Sequence, residues 1–211
     1  MKSFKKGKNC KISKMAKIGE DVEIGNNVEI SENVHIYGKT KILDNVKIFS
    51  GTEISDSIIG KNTEIRQSVI EGAQVGEENV IGPFSRIRNG TKTEKNVKIG
   101  NFVEVKNSII KEGTKASHLA YIGDAEIGKN VNIGCGVIFA NYNGKIKQKS
   151  VVGDGCFIGS NCNVIAPVKI GNNCYIVAGT TVTDEVLDGD FVIGRVRQEN
   201  KKDRAKKYLK N

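Results

Sequence analysis

Two of the 211 residues are histidine, and one of them, His118, stands among residues that suggest chemistry: KASHLAYIGDAEIG, with Tyr121 and Asp124 close behind. An imidazole takes up and releases a proton near neutrality, so His118 is a candidate acid or base; the plainer reading is a solvated surface histidine. Upstream lie Arg86, Arg88 and Lys106, and Lys106 follows Arg88 by 18 residues. If the chain coils with that period, the two cations stand side by side on one wall. Adjacent cations repel unless they share an anion, which points to a phosphate or a phosphorylated sugar. Asn141 and Tyr142 fall in the one stretch without the chain's repeat. The 5 cysteines are odd in number and show no C-x-x-C spacing, so neither a disulfide framework nor a zinc ribbon is expected. His35 offers no comparable surroundings and is expected to face solvent.

The element that must carry these groups is a short repeat. Isoleucine recurs every six residues at Ile12, Ile18, Ile24, Ile30, Ile36, Ile42, Ile48 and Ile54, and two positions earlier sits a smaller inward residue: Ala16, Val22, Val28, Val34, Thr40, Val46 and Thr52. A period of six fits neither an α-helix nor plain strand alternation, so each hexad is one short strand plus one turn. One coil cannot bury its own apolar side, whereas stacked coils pair their backbones and share columns of isoleucine. Hexads of this kind close into a three-sided prism of about 18 residues per coil. The period continues with changes of phase through Ile59, Ile65, Val75, Ile81, Ile87, Ile99, Val105, Ile110, Ile122, Ile127 and Ile133, with Ala116 standing where a branched residue is expected. It resumes at Val152, Ile158, Val164, Ile170, Ile176 and Val182, and Cys156, Cys162 and Cys174 take the small inward sites, where they serve as little hydrophobes. Each slip marks a corner with one residue fewer or more. The break NYNGKIKQKS, Asn141 to Ser150, is expected to leave the prism as a loop, either functional or a tolerated insertion.

One period that resumes after this loop implies one elongated domain, residues 1–197, followed by a short basic tail, 198–211. No apolar run of 18 residues and no signal-peptide core is present, which predicts a soluble, cytoplasmic protein with no membrane partner. The net charge is +9. From Arg195 onward eight Lys or Arg face only Glu199 and Asp203; this end either binds an anion or keeps an exposed coil edge from stacking on another molecule. A basic groove interleaved with stacking aromatics is lacking, so no nucleic-acid partner is expected.

Beyond the hexads, the segments IGPFSRIRNG, IGNFVEVKNS, ASHLAYIGDAEIGKNVNIGCGVIFANYNG, IGSNCNVIAPV and VAGTTVT closely resemble the acetyltransferase half of the bacterial bifunctional N-acetylglucosamine-1-phosphate uridyltransferase / glucosamine-1-phosphate acetyltransferase. The resemblance runs from about residue 12 to Arg197, and the HLAYIGDAEIG and NYNG segments are its most specific parts. It implies an all-β fold, a left-handed parallel β-helix, contrary to the usual right-handed crossover. It further implies a homotrimer that uses acetyl-CoA and no metal. His118 is then the general base. Arg88, Lys106, Tyr121 and Asn132 hold the sugar phosphate, and Cys135, Asn141, Tyr142, Ser160, Ala178 and Arg195 contact acetyl-CoA. The implied reaction moves acetyl to the 2-amino group of glucosamine 1-phosphate, giving N-acetylglucosamine 1-phosphate for UDP-N-acetylglucosamine and cell-envelope precursors. Neutral imidazole accepts the proton released as the amine attacks the thioester, the two cations fix the sugar, and Asn141 or a backbone amide steadies the oxyanion.

Two departures stand out. The family's nucleotide-binding half is missing, so no uridylyl transfer is expected; Met1 and the lysine-rich start favour a free-standing enzyme with a separate uridyltransferase over a fragment. Cys135 replaces a small alanine. The alternatives are an acetyltransferase for another amino sugar, including a nucleotide-linked one, and a non-catalytic scaffold of hexads. Hexads alone also fit serine acetyltransferases, the sugar acyltransferases of lipid A synthesis and γ-class carbonic anhydrases, but the last need three histidines around zinc.

Overall fold

The computed structural model describes residues 4–209. The hexad GNNVEI shows how the repeat folds. Val28 and Ile30 are fully or almost fully buried, and Glu29 between them points out, as alternation along a strand requires. Asn27 turns the corner at φ 56°, a left-handed conformation that asparagine tolerates because its side chain bonds locally. Its amide then donates to the Oδ1 of Asn45, 18 residues on and one coil away (3.0 Å).

Repetition of this unit gives three parallel sheets of 10, 11 and 10 strands, each strand pairing with the equivalent strand of the coils before and after it. The first wall starts at Lys5–Lys6 and Glu23–Ile24, the second at Lys11–Ile12 and Glu29–Ile30, the third at Lys17–Ile18 and His35–Tyr37. The inward side chains form one continuous core from Val22 to Val186. Ile12, Ala16 and Ile18 are only partly buried, because in the first coil nothing stacks on their outer side. Coil length is not constant. Hydrogen bonds between adjacent coils span 18 residues from Asn27 to Asn45, 17 from Asn45 to Asn62 and 16 from Thr63 to Asn79. The phase slips read from the sequence are these shortened corners. They also explain an inward residue that the six-residue count passes over: Ile70, fully buried, pairs with Ile54 and Ile87.

Ala116 lies inward between Ile99 and Ile133, as expected. Cys156, Cys162 and Cys174 are buried; burial pushes the Cys156 thiol up to about 11, and its Sγ donates to the Gly171 carbonyl at 3.0 Å. His35 faces outward, as expected. It is half-buried in its outward column, with Lys17 on one side and Glu53 on the other.

The loop leaves the prism after Ile138–Ala140 of the third wall and returns at Ser150–Val152 of the first. An antiparallel bridge from Tyr142 to Lys147 folds it on itself, and its far end is anchored by Lys149 on Glu126 at 3.0 Å. Beyond the last strand, Phe191–Val192, the described chain is exposed throughout, including a 3₁₀ turn at Arg204–Lys207. Among the described residues no helix is long and apolar enough to cross a membrane.

Candidate active site

His118 ends the second-wall strand Lys115–His118, just before Leu119 turns the corner at φ 41°. The same place in neighbouring coils is held by Asn101 before Phe102, Cys135 before Gly136, Ser160 before Asn161 and Ala178 before Gly179, every second member of these pairs having positive φ. Backbone bonds tie the corners together: Leu119 to Asn101, Gly136 to Leu119, Asn161 to Cys135 and Gly179 to Ser160. Four residues expected in the site, His118, Cys135, Ser160 and Ala178, therefore form one line along one edge of the prism, rungs about 4.8 Å apart. All four are exposed. Arg195 joins their far end, for a Cβ added to Gly179 would stand 3.6 Å from the Arg195 Cδ.

Asn101 gives the imidazole its chemistry. His118 Nδ1 lies 2.8 Å from Asn101 Oδ1, one coil back. A carbonyl oxygen only accepts, so Nδ1 carries the hydrogen and the neutral ring offers the Nε2 lone pair outward. Asn101 is absent from the residues expected in the site; its signal is a polar residue one coil, 17 positions, before a candidate base.

Arg86, Glu104 and Tyr121 occupy successive outward places on the third wall, and Lys106 pairs with Gly123 at the wall's far edge. Arg88 and Lys106 share a cleft of about 280 Å³ with Glu71, Arg86 and Asn89, so the 18-residue spacing did bring them together. The expectation that these two cations lack compensation needs correction. Arg88 is bound by Glu104 at 2.7 Å, and that carboxylate raises the guanidinium above its ordinary value. Lys106 instead faces Lys147 from the extruded loop, which, helped by burial, lowers its ammonium pKa. Neither lysine forms an ion pair among the described residues, so the anion-seeking pair is Lys106 and Lys147. Loop folding created it, which a spacing argument cannot reach.

Tyr121 and Asn141 meet over Gly123. A Cβ there would lie 2.5 Å from the Tyr121 hydroxyl and 2.8 Å from Asn141 Nδ2, so only glycine leaves room for both. Asn141 is 8% exposed, and its Nδ2 donates to Asp124. Asn132 is exposed on the second wall between Lys115 and Phe157 and makes no side-chain hydrogen bond among the described residues. The exposed Tyr142 donates its hydroxyl hydrogen to the Gly144 carbonyl within the loop. Neither is drawn into the two clusters. No group of three or more His, Cys, Asp or Glu stands where it could hold a metal ion among the described residues.

Three walls of hexads, with an exposed histidine on one corner, define the class: a parallel β-solenoid of hexapeptide repeats. The bacterial transferase hexapeptide family (six repeats) matches residues 149–184, and the GMPPB C-terminal domain family matches residues 3–75. Among individual proteins, the chain is 54% identical over 155 residues to the bifunctional protein GlmU of Carboxydothermus hydrogenoformans, 74% of this chain and 35% of that protein. It is 54% identical over 147 residues to GlmU of Clostridioides difficile, 70% of this chain and 32% of that one. With GlmU of Listeria welshimeri the figures are 49% over 158 residues, 75% and 35%. The likeness carried by the motifs is thereby borne out, over a chain spanning 35% of the length of the first of these relatives. A solved UDP-N-acetylglucosamine acyltransferase overlays with a TM-score of 0.40 and 16% identity, covering 84% of this chain and 68% of that one; nothing further rests on it.

Proposed function

We propose that the chain is an N-acetyltransferase that moves acetyl from acetyl-CoA to the 2-amino group of glucosamine 1-phosphate, working as a homotrimer with the site at the seam between protomers. The observation that carries this reading is the corner line on which His118, its tautomer set by Asn101, stands with Cys135, Ser160 and Ala178. An extended thioester laid along that line would bring its carbonyl to the imidazole, with Arg195 beside its far end. Lys106 and Lys147, with Arg88 held by Glu104, take the sugar phosphate.

The residues then act as follows. The phosphate clamp presents the amine, and positioning supplies much of the rate gain. As the new N–C bond forms, Nε2 of His118 takes the amine proton. The C–S bond then breaks, and the imidazolium returns a proton to the departing thiolate. Asn141 turns its Nδ2 onto Asp124, so of the two oxyanion donors expected a backbone amide is the one left for that role. The tautomer that Asn101 selects, with the hydrogen on Nδ1, leaves Nε2 for this chemistry.

Purified protein assayed with acetyl-CoA and a panel of amino sugars, following thiol release, should prefer glucosamine 1-phosphate. His118→Ala should keep coenzyme A binding and lower turnover by about a hundred-fold or more. Preference for a nucleotide-linked amino sugar would move the acceptor, no turnover with any would leave a scaffold, and full activity in the variant would remove His118 from the mechanism.

A further inference from the structure

Asparagines that turn corners in this solenoid form a directional ladder. Asn9 donates its side-chain amide to Oδ1 of Asn27, Asn27 to Asn45 and Asn45 to Asn62, each along the same sense of the coil. That run lies on the corner between the first and second walls; on the corner between the third and first walls the sense changes at Asp124. Asn107 donates to Asp124 Oδ1 in the usual sense, but Asn141 donates back to Asp124 Oδ2. The reason is chemical: a carboxylate only accepts, so both neighbours must turn N–H groups toward it. An asparagine at 124 would keep the sense set by Asn107, donate to Asn141 Oδ1 and turn that amide around. With Asp124 in place, Asn141 Oδ1 takes no hydrogen bond from the described residues. Asn141 is also fixed at the loop's root, where its backbone carbonyl accepts from Gln148 N–H at 2.8 Å.

We propose that Asp124 is a positioning residue that sets which end of the Asn141 amide faces the acyl donor: the carbonyl oxygen, an acceptor matched to a secondary-amide N–H on the donor's arm. Asp124 itself touches no ligand. This rests on the acetyl-CoA reading above. Asp124 has φ 49°, and asparagine holds the same conformation at many other corners, so Asp124→Asn changes hydrogen-bond polarity without straining the backbone.

Three measurements on the full-length protein test it. In the wild type, the Asn141 side-chain amide should show a slowly exchanging Nδ2 hydrogen by NMR, lost in Asp124→Asn. Coenzyme A titrated by calorimetry should bind Asp124→Asn about ten-fold more weakly, as for loss of one oriented hydrogen bond. Meanwhile exchange of the Gln148 backbone amide should stay within about two-fold of wild type, because the loop itself is kept. Asn107→Ala, which removes the other donor, should leave coenzyme A affinity unchanged. Free exchange of the Asn141 amide in the wild type, unchanged affinity in Asp124→Asn, or a fall in affinity accompanied by faster Gln148 exchange would each overturn the proposal, the last by showing a merely structural role. A wild type that keeps the NMR signature yet binds no coenzyme A would instead overturn the acetyl-CoA reading and the ligand half of this proposal with it.

Discussion

At the scale of single residues, the site depends on what is left out as much as on what is present. Gly123 carries no side chain, and the Tyr121 hydroxyl and Asn141 amide converge on the space. Its φ is not in the left-handed region, so alanine suits its backbone, and the atoms it would strike are the ends of side chains that can move. Gly123→Ala is therefore expected to shift Tm by no more than a few degrees while lowering acetylation by about ten-fold or more, since misplacement of about an ångström suffices; melting curves and steady-state rates on one preparation check it. Gly100 differs, because a Cβ there would stand 2.0 Å from the Ser117 carbonyl oxygen, which is backbone and cannot yield. The role of His118 could be weighed from its motif. Its tautomer could not, because Asn101 meets it only after a full coil has closed.

The elements are corners, and their residue choice is informative. Among described residues, the non-glycine positions at positive φ are Asn, Asp, Gln or Glu except for Phe84, Phe102 and Leu119, which occupy successive coils on the edge that carries His118. Bulky residues pay about 1–2 kcal/mol for that conformation, and the stacked rings of Phe84 and Phe102, 5.5 Å apart, return part of it. The loop's return is held differently. Glu126 accepts from Lys111 and from Lys149, and these ammonium groups, Lys111 foremost, hold its carboxyl below the usual range. A carboxyl with a lowered folded pKa adds stability above its unfolded value of about 4.3 and loses it as pH falls through the folded value. Glu126→Gln should accordingly be less stable than wild type at pH 7, by no more than about 1 kcal/mol. The gap should close as pH drops below about 4; denaturant melts of both proteins across pH 3–7 would show a constant gap if the ion pairs contribute nothing.

The whole molecule is a stack in which each coil touches only its neighbours, so position along the axis sets the cost of a core change. Ile87 is fully buried, with Ile70 behind it and Val105 ahead. Ile12 is partly buried and pairs only with Ile30. Ile87→Ala should cost about 2–5 kcal/mol and Ile12→Ala roughly 1 kcal/mol, read from denaturant midpoints; equal losses would contradict nearest-neighbour stacking. The same linear architecture assembles the candidate site, since groups a coil apart in sequence become neighbours and form lines such as His118, Cys135, Ser160 and Ala178.

Sequence alone determined the solenoid, its inward columns, the position of the loop and the adjacency of Arg88 and Lys106, because a strand of two or three residues has only one apolar side and a fixed period maps directly onto space. Ile70 escaped that count because lost corner residues change the period locally. The partners that tune the site, Asn101 for His118, Glu104 for Arg88, Lys147 for Lys106 and Asp124 for Asn141, were decided only by the tertiary structure. Each meets its mate across a coil boundary or through a loop of non-repeating length, and hydrogen-bond direction depends on which donor and acceptor finally face one another.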